Sequence, residues 1–144
     1  MNYHVYTDGA YSVERGVGSW AYLIYTDTNF IEWVSNKTKH IASPTYAEDI
    51  AIGVASHSLL RLGLTKEDNV YFYTDSLATI ELIERYITNS RKYVNKNVLV
   101  QDAIRTVQEL SGLTNVEMCK VLAHKNSLNP NICVDRMAKY ALRS

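Results

Sequence analysis

Two cysteines, two prolines and six glycines among 144 residues leave little material for several classes of protein. Cys119 and Cys133 stand apart, so neither a disulfide framework nor a CxxC metal pair is available. They read as two core thiols in a reducing compartment. No linker or low-complexity tract breaks the sequence, and the length fits one domain over residues 1–144. No apolar run reaches membrane-spanning length and no signal peptide is visible, which predicts a cytoplasmic protein with no membrane partner. The formal net charge is +0, so any attraction to phosphate must come from how the charges are distributed.

What is present points to a packed domain. The chain is 47% hydrophobic and 21% charged, which excludes a disordered polymer. Eleven tyrosines are conspicuous. Most fall in strand-like segments, where aromatics fit a half-buried pleated surface; base stacking is the second reading. Residues 1–88 carry 6 Lys+Arg against 11 Asp+Glu, and residues 89–144 carry 9 against 4. An acidic half holding a site and a basic half touching phosphates suits a nucleic-acid enzyme.

The chain is organised around Val5-Tyr6-Thr7-Asp8-Gly9-Ala10. It reads as a buried strand, residues 3–8, ending on a carboxylate, with a loop from Gly9 to Gly16. The pattern returns as Phe72-Tyr73-Thr74-Asp75-Ser76. Gly18–Tyr25 and Phe30–Val34 alternate as strands around an Asp27-Thr28-Asn29 turn, predicting an antiparallel hairpin. Ser43-Pro44 is a helix start; Ile52, Ala55, Leu59 and Leu62 follow at helical spacing up to Gly63. Val70–Thr74 is a fourth strand. Leu77, Ile80, Ile83 and Ile87 mark a helix, and residues 88–97 a polar loop or irregular helix. Val100 to Leu110 makes another helix, stopped by Gly112. Val116–Leu122 is the last strand, and Asn129-Pro130 opens a final helix through Ala141. The order reads βββαβαβα. The fold class is α/β (mixed α+β), a five-stranded mixed sheet with helices packed on both faces.

Four acids fall at strand ends or first helical turns: Asp8, Glu48, Asp75 and Asp135. Each has an ordinary structural reading. Asp8-Gly9 resembles turn chemistry, Thr45-x-x-Glu48 a capping box, Asp75-Ser76 an N-cap, and Asp135 with Lys139 an i,i+4 ion pair. Their joint placement favours another reading. If the first and fourth strands are parallel neighbours, their ends lie side by side, and helices starting at that edge aim first-turn acids at the same point. Carboxylates gathered in one cleft repel unless cations are present. Hard divalent ions fit, magnesium above all, and no zinc-type His/Cys set accompanies the acids. Two such ions about 3.5–4 Å apart hydrolyse a phosphodiester by in-line attack.

These segments together resemble the ribonuclease H family, type 1. The matching stretches are Tyr6–Ala10 with Gly16–Ala21 behind it, Ala47-Glu48, Tyr73–Ser76, and His124 through Asn131 to Asp135, followed by Met137-Ala138. They come in the family's order and cover essentially the whole chain. The resemblance implies a ribonuclease H-like fold and metal-dependent cleavage of the RNA strand of RNA–DNA hybrids, leaving 5′-phosphate and 3′-hydroxyl ends. It implies Asp8, Glu48, Asp75 and Asp135 as metal-binding catalytic acids, and His124 as the histidine assisting proton transfer or product release, a role its pKa range suits. It implies two Mg2+ ions, with Mn2+ as the alternative. Substrate contacts are expected at Gly9, Ala10, Tyr11, Ser43, Thr45, Tyr46, Ser76 and Asn131, with main-chain groups reading 2′-hydroxyls.

This chain also departs from the family pattern. Pro44 and Thr45 replace amide side chains that touch the hybrid, and Asp49 replaces an apolar residue after the glutamate, either adding charge near the metals or facing water. Ala123 stands where glycine precedes the histidine. The basic handle is shortened to Arg91, Lys92, Lys96 and their neighbours, which are either phosphate contacts or a solvated loop. Two other readings remain beside the leading one: a catalytically weak or silent hybrid-binding module, and another nuclease of the same broad fold. A polymerase or reverse transcriptase context is a further expectation for the hybrid-cutting reading.

Overall fold

In the computed structural model, which describes residues 1–39, 41, 43–89, 91–121 and 130–143, the first three strands form a meander. They are β1 (Asn2–Ser12), β2 (Val17–Thr26) and β3 (Phe30–Lys39). Tyr3, Val5 and Thr7 of β1 turn to one face, and Tyr6 and Ala10 to the other, so both faces of the strand are covered. The β1–β2 turn closes at Gly16, whose φ of 60° is readily reached without a side chain, and whose N–H donates to the Ser12 carbonyl at 2.9 Å.

Helix α1 (Pro44–Leu60) follows, capped by Ser43, whose side chain accepts from the Tyr46 N–H. It carries the chain across the sheet to β4 (Asn69–Thr74), which pairs parallel with β1 from Asn2↔Asn69 to Tyr6↔Tyr73. Two helices, α2 (Leu77–Thr88) and α3 (Val98–Leu113), then return the chain to β5 (Asn115–Lys120), parallel to β4. Helix α4 (Pro130–Arg143) ends the described chain. The sheet order is β3-β2-β1-β4-β5. The element order is βββαβααβα and not βββαβαβα, because the crossover from β4 to β5 holds two helices.

The larger core lies between the sheet and α1, α2 and α3, with Phe72, Ile24, Ile52, Leu59, Ile83 and Ile104 fully buried. On the opposite face, Val134 and Ala138 of α4 pack on Ala21 and Leu23 of β2. Helices therefore cover both faces.

Several boundaries differ from the sequence reading. β1 does not stop at Asp8. It runs four residues further, paired with β2 alone from Asp8↔Ala21 to Ser12↔Val17, so Gly9 lies in a strand and not in a loop. β3 extends to Lys39, because its antiparallel partner β2 satisfies its backbone there. Gly112 does not stop α3; the helix ends on Thr114, whose hydroxyl donates to carbonyls of Thr65 and Asp68. Cys119 is half-buried and Cys133 exposed, so the expectation of two core thiols fails: α4 turns Val134 and Ala138 inward and Cys133 outward. Leu122, at the expected end of the last strand, lies outside the described residues.

Candidate active site

The site forms where β1 and β4 part. Their ladder ends at Tyr6↔Tyr73, and those rings stack at 4.5 Å. The next residues, Thr7 and Thr74, are both fully buried. Beyond them the echoed acids Asp8 and Asp75 face one cleft. One strand continues toward β2 and the other turns into α2, so the cleft opens at a topological switch point.

Glu48 reaches the same cleft from α1. Helix and strand can approach so closely only because residue 9 is glycine. A Cβ there would stand 2.5 Å from the Ala47 carbonyl carbon and 2.6 Å from the Glu48 nitrogen. Carboxylate oxygens of Asp8, Glu48 and Asp75 all lie within 4.8 Å of one another. Asp135 approaches from α4, within hydrogen-bonding reach of Asp8, while also forming a 3.1 Å ion pair with Lys139. The i,i+4 pair and the approach to the cleft therefore coexist.

Among the described residues, little neutralises this cluster. The Gly9 N–H donates to Asp8 Oδ1 at 2.9 Å and also lies within reach of the Glu48 carboxylate. Glu48 Oε2 is buried without a hydrogen-bond partner. Burial raises the Asp8 pKa to about 7, aided by Asp135 and Asp75. Burial, followed by the charge of Asp8, holds Glu48 well above the ordinary carboxylate range. Such a group either takes up protons or takes up cations. Hard carboxylate oxygens, one of them unpartnered, fit a divalent ion of the magnesium type, with Asp8, Glu48 and Asp75 as ligands and Asp135 beside them.

The alternative reading of Thr45 and Glu48 as a capping box fails. Ser43 is the cap, Thr45 is the second helical residue, and Glu48 points to the cleft. Asp75 is not an N-cap either, since Ser76 fills that position over Thr79. Gly9, Ala10 and Tyr11 follow Asp8 along β1, and Ser43, Thr45 and Tyr46 lie in the α1 start that carries Glu48. Asn131 is 1% exposed in the first turn of α4. His124 lies outside the described residues, as does Ala123.

Neither sequence reading of Asp49 holds. It neither faces water nor joins the acid cluster; it is 1% exposed, beside the Thr79 hydroxyl. The available signal was helical spacing, since Asp49, Ile52, Gly53 and Ser56 share one inward stripe.

A family model described as RNase H matches residues 1–143. Among solved structures, RNase H1 from the halophilic archaeon Halobacterium salinarum NRC-1 is similar with a TM-score of 0.70 at 18% identity, over 99% of this chain and 98% of that one. The N-terminal RNase H domain of rv2228c from Mycobacterium tuberculosis, solved as a fusion with maltose binding protein, matches with a TM-score of 0.70 at 16% identity, over 99% and 94%. At such identities the likeness to these structures is one of fold. No curated protein matches the sequence.

Proposed function

Since the chain belongs to the RNase H family, we propose that it is a metal-dependent endoribonuclease cutting the RNA strand of RNA–DNA hybrids, with 5′-phosphate and 3′-hydroxyl products. The observation carrying this reading is the convergence of Asp8, Glu48 and Asp75 within 4.8 Å, with Asp135 alongside. When bound, a pair of Mg2+ ions, or Mn2+ in their place, supplies an activated water and charge stabilisation for in-line phosphodiester hydrolysis.

The residues have separable tasks. Asp8, on β1, and Asp75, just past the end of the adjacent β4, form the base of the ion site. Glu48 completes it from α1. Asp135 tunes Asp8 and is itself oriented by Lys139 at 3.1 Å. His124 is assigned proton transfer or product release. Main-chain groups of Gly9, Ala10 and Tyr11, and the α1 start at Ser43, Thr45 and Tyr46, flank the cleft as the surface for 2′-hydroxyls. Ser76 and Asn131 are assigned substrate contact from α2 and α4.

The test is a cleavage assay with Mg2+ or Mn2+ on an RNA–DNA hybrid, duplex RNA and duplex DNA. The expected result is cutting of the hybrid's RNA strand alone. Binding without cutting would identify a silent hybrid-binding module, and cutting of duplex DNA another nuclease activity of this fold.

A further inference from the structure

The residue after Glu48 points into the protein, yet it is an acid. Asp49 is 1% exposed and its Oδ1 has no hydrogen-bond partner. Among the described residues, the hydroxyl of Thr79 lies beside it, itself fully buried in the first turn of α2. Thr79 in turn belongs to a cap. Its N–H donates to Ser76 Oγ at 3.3 Å, and the Ser76 hydroxyl donates to Thr79 Oγ1 at 2.9 Å. Each hydroxyl has one proton. Ser76 gives its own to Thr79, which leaves the Thr79 proton available to the Asp49 carboxylate.

The ends of this chain matter. Asp49 is bonded to Glu48, and Ser76 to Asp75. Elsewhere α1 packs chiefly on α3 and β1 and touches α2 only slightly. We propose that Asp49, Thr79 and Ser76 form a tether that sets the spacing between Glu48 and Asp75, making Asp49 a positioning residue for the metal site. The inference rests on the reading of that site as a divalent-metal centre. A stability role accounts poorly for Asp49. A buried carboxylate with an unpartnered oxygen costs more in desolvation than one hydrogen bond returns, and an apolar side chain would pack α1 at least as well. Its place on the inward stripe makes sense if the polar link itself is needed.

The experiment is calorimetric titration of the full chain with Mn2+, without nucleic acid, for wild type, Asp49→Asn, Asp49→Leu, Thr79→Val and the Asp49→Leu/Thr79→Val double variant. Groups that orient metal ligands cost roughly 10–100-fold in affinity when removed. Asp49→Leu and Thr79→Val should each weaken Mn2+ binding by roughly tenfold. Asp49→Asn should stay within about twofold, since its amide oxygen accepts the same proton. The double variant should be no weaker than Asp49→Leu alone, because both changes cut one link. Wild-type affinity in Asp49→Leu overturns the tether. So does an equal loss in Asp49→Asn, which would mark a long-range charge effect. If Asp49→Leu does not fold, Thr79→Val decides. A wild type that binds Mn2+ but cuts no hybrid overturns the nuclease reading and leaves the tether to the titrations, whereas one that binds no Mn2+ overturns both.

Discussion

Asp8 is where the chemistry of this chain is most concentrated. Its pKa rises from 3.8 to about 7, with burial as the largest cause. A carboxyl group whose folded pKa exceeds its unfolded value stabilises the fold while protonated. That stability is complete below the unfolded pKa and is lost as pH climbs through the folded one. The metal-free protein should therefore lose melting temperature between about pH 4 and pH 7, and Glu48, shifted the same way, adds to the loss. Mg2+ should restore more at pH 8 than at pH 5, because ion binding displaces those protons. Melting curves with and without Mg2+ check this; a flat pH profile would mean that folding does not raise these acids above their unfolded pKa. Asp8→Asn and Asp75→Asn should fall to background cleavage while melting no lower than wild type, since each removes repulsion. Glu48→Gln should lose cleavage with unchanged helix content, because Ser43 caps α1. The sequence displayed these acids clearly through the echoed Tyr-Thr-Asp. Asp49 was less visible, because an acid on an inward stripe is recognised only once its partner, Thr79, is known to face it.

Among the elements, the meeting of β1 and α1 sets the geometry of the cleft. Gly9→Ala would force Ala47 and Glu48 away from Asp8 by the overlap of a Cβ at 2.5 Å. Overpacking of this kind costs about 1–3 kcal/mol. The expected outcome is a lower melting temperature together with lost cleavage, whereas Ser43→Ala should cost about 1 kcal/mol and leave the cleft closer to wild type. Equal activity in Gly9→Ala and wild type would show that the close approach is dispensable. Element types were legible because period-2 and period-3.6 patterns were strong. Ends were less so, because partners decide them: β1 continues past Asp8 on β2 alone, and Thr114 ends α3 through bonds to carbonyls 49 and 46 residues away. The segment after α2 shows the same limit. It lies along α3, held by Gln108 to the Arg91 carbonyl at 2.8 Å, Arg105 to the Tyr93 carbonyl at 3.0 Å and Gln101 to the Asn95 N–H at 3.2 Å. Those three side chains share one face of α3, a pattern that reads as a solvated helix face until the loop is seen against it.

For the molecule as a whole, the balance of charge governs how it meets a polyanion. A net charge of +0 with an acidic cleft gives no general attraction to nucleic acid. Binding must draw on local basic groups, and the strapped loop supplies Arg91, Lys92 and Lys96, all exposed. Because that loop is held along α3, the backbone carrying these cations has a definite place on the fold, with Tyr93 buried as the anchor. The uneven charge of the two halves was plain in the sequence, but a solvated loop and a phosphate contact have the same composition; only the hydrogen bonds to α3 make the positions definite. Each phosphate neutralised contributes about −0.9 to the salt slope of binding to B-DNA. Replacing Arg91, Lys92 and Lys96 together with glutamine should raise KM for the hybrid at low salt and flatten the slope of log KM against log salt by about 2–3. The turnover rate at saturating hybrid should hold, since none of the three touches the acids. If KM and slope are unchanged, the loop is a solvated surface and the hybrid is held by main-chain groups around Gly9 and Ser43 alone.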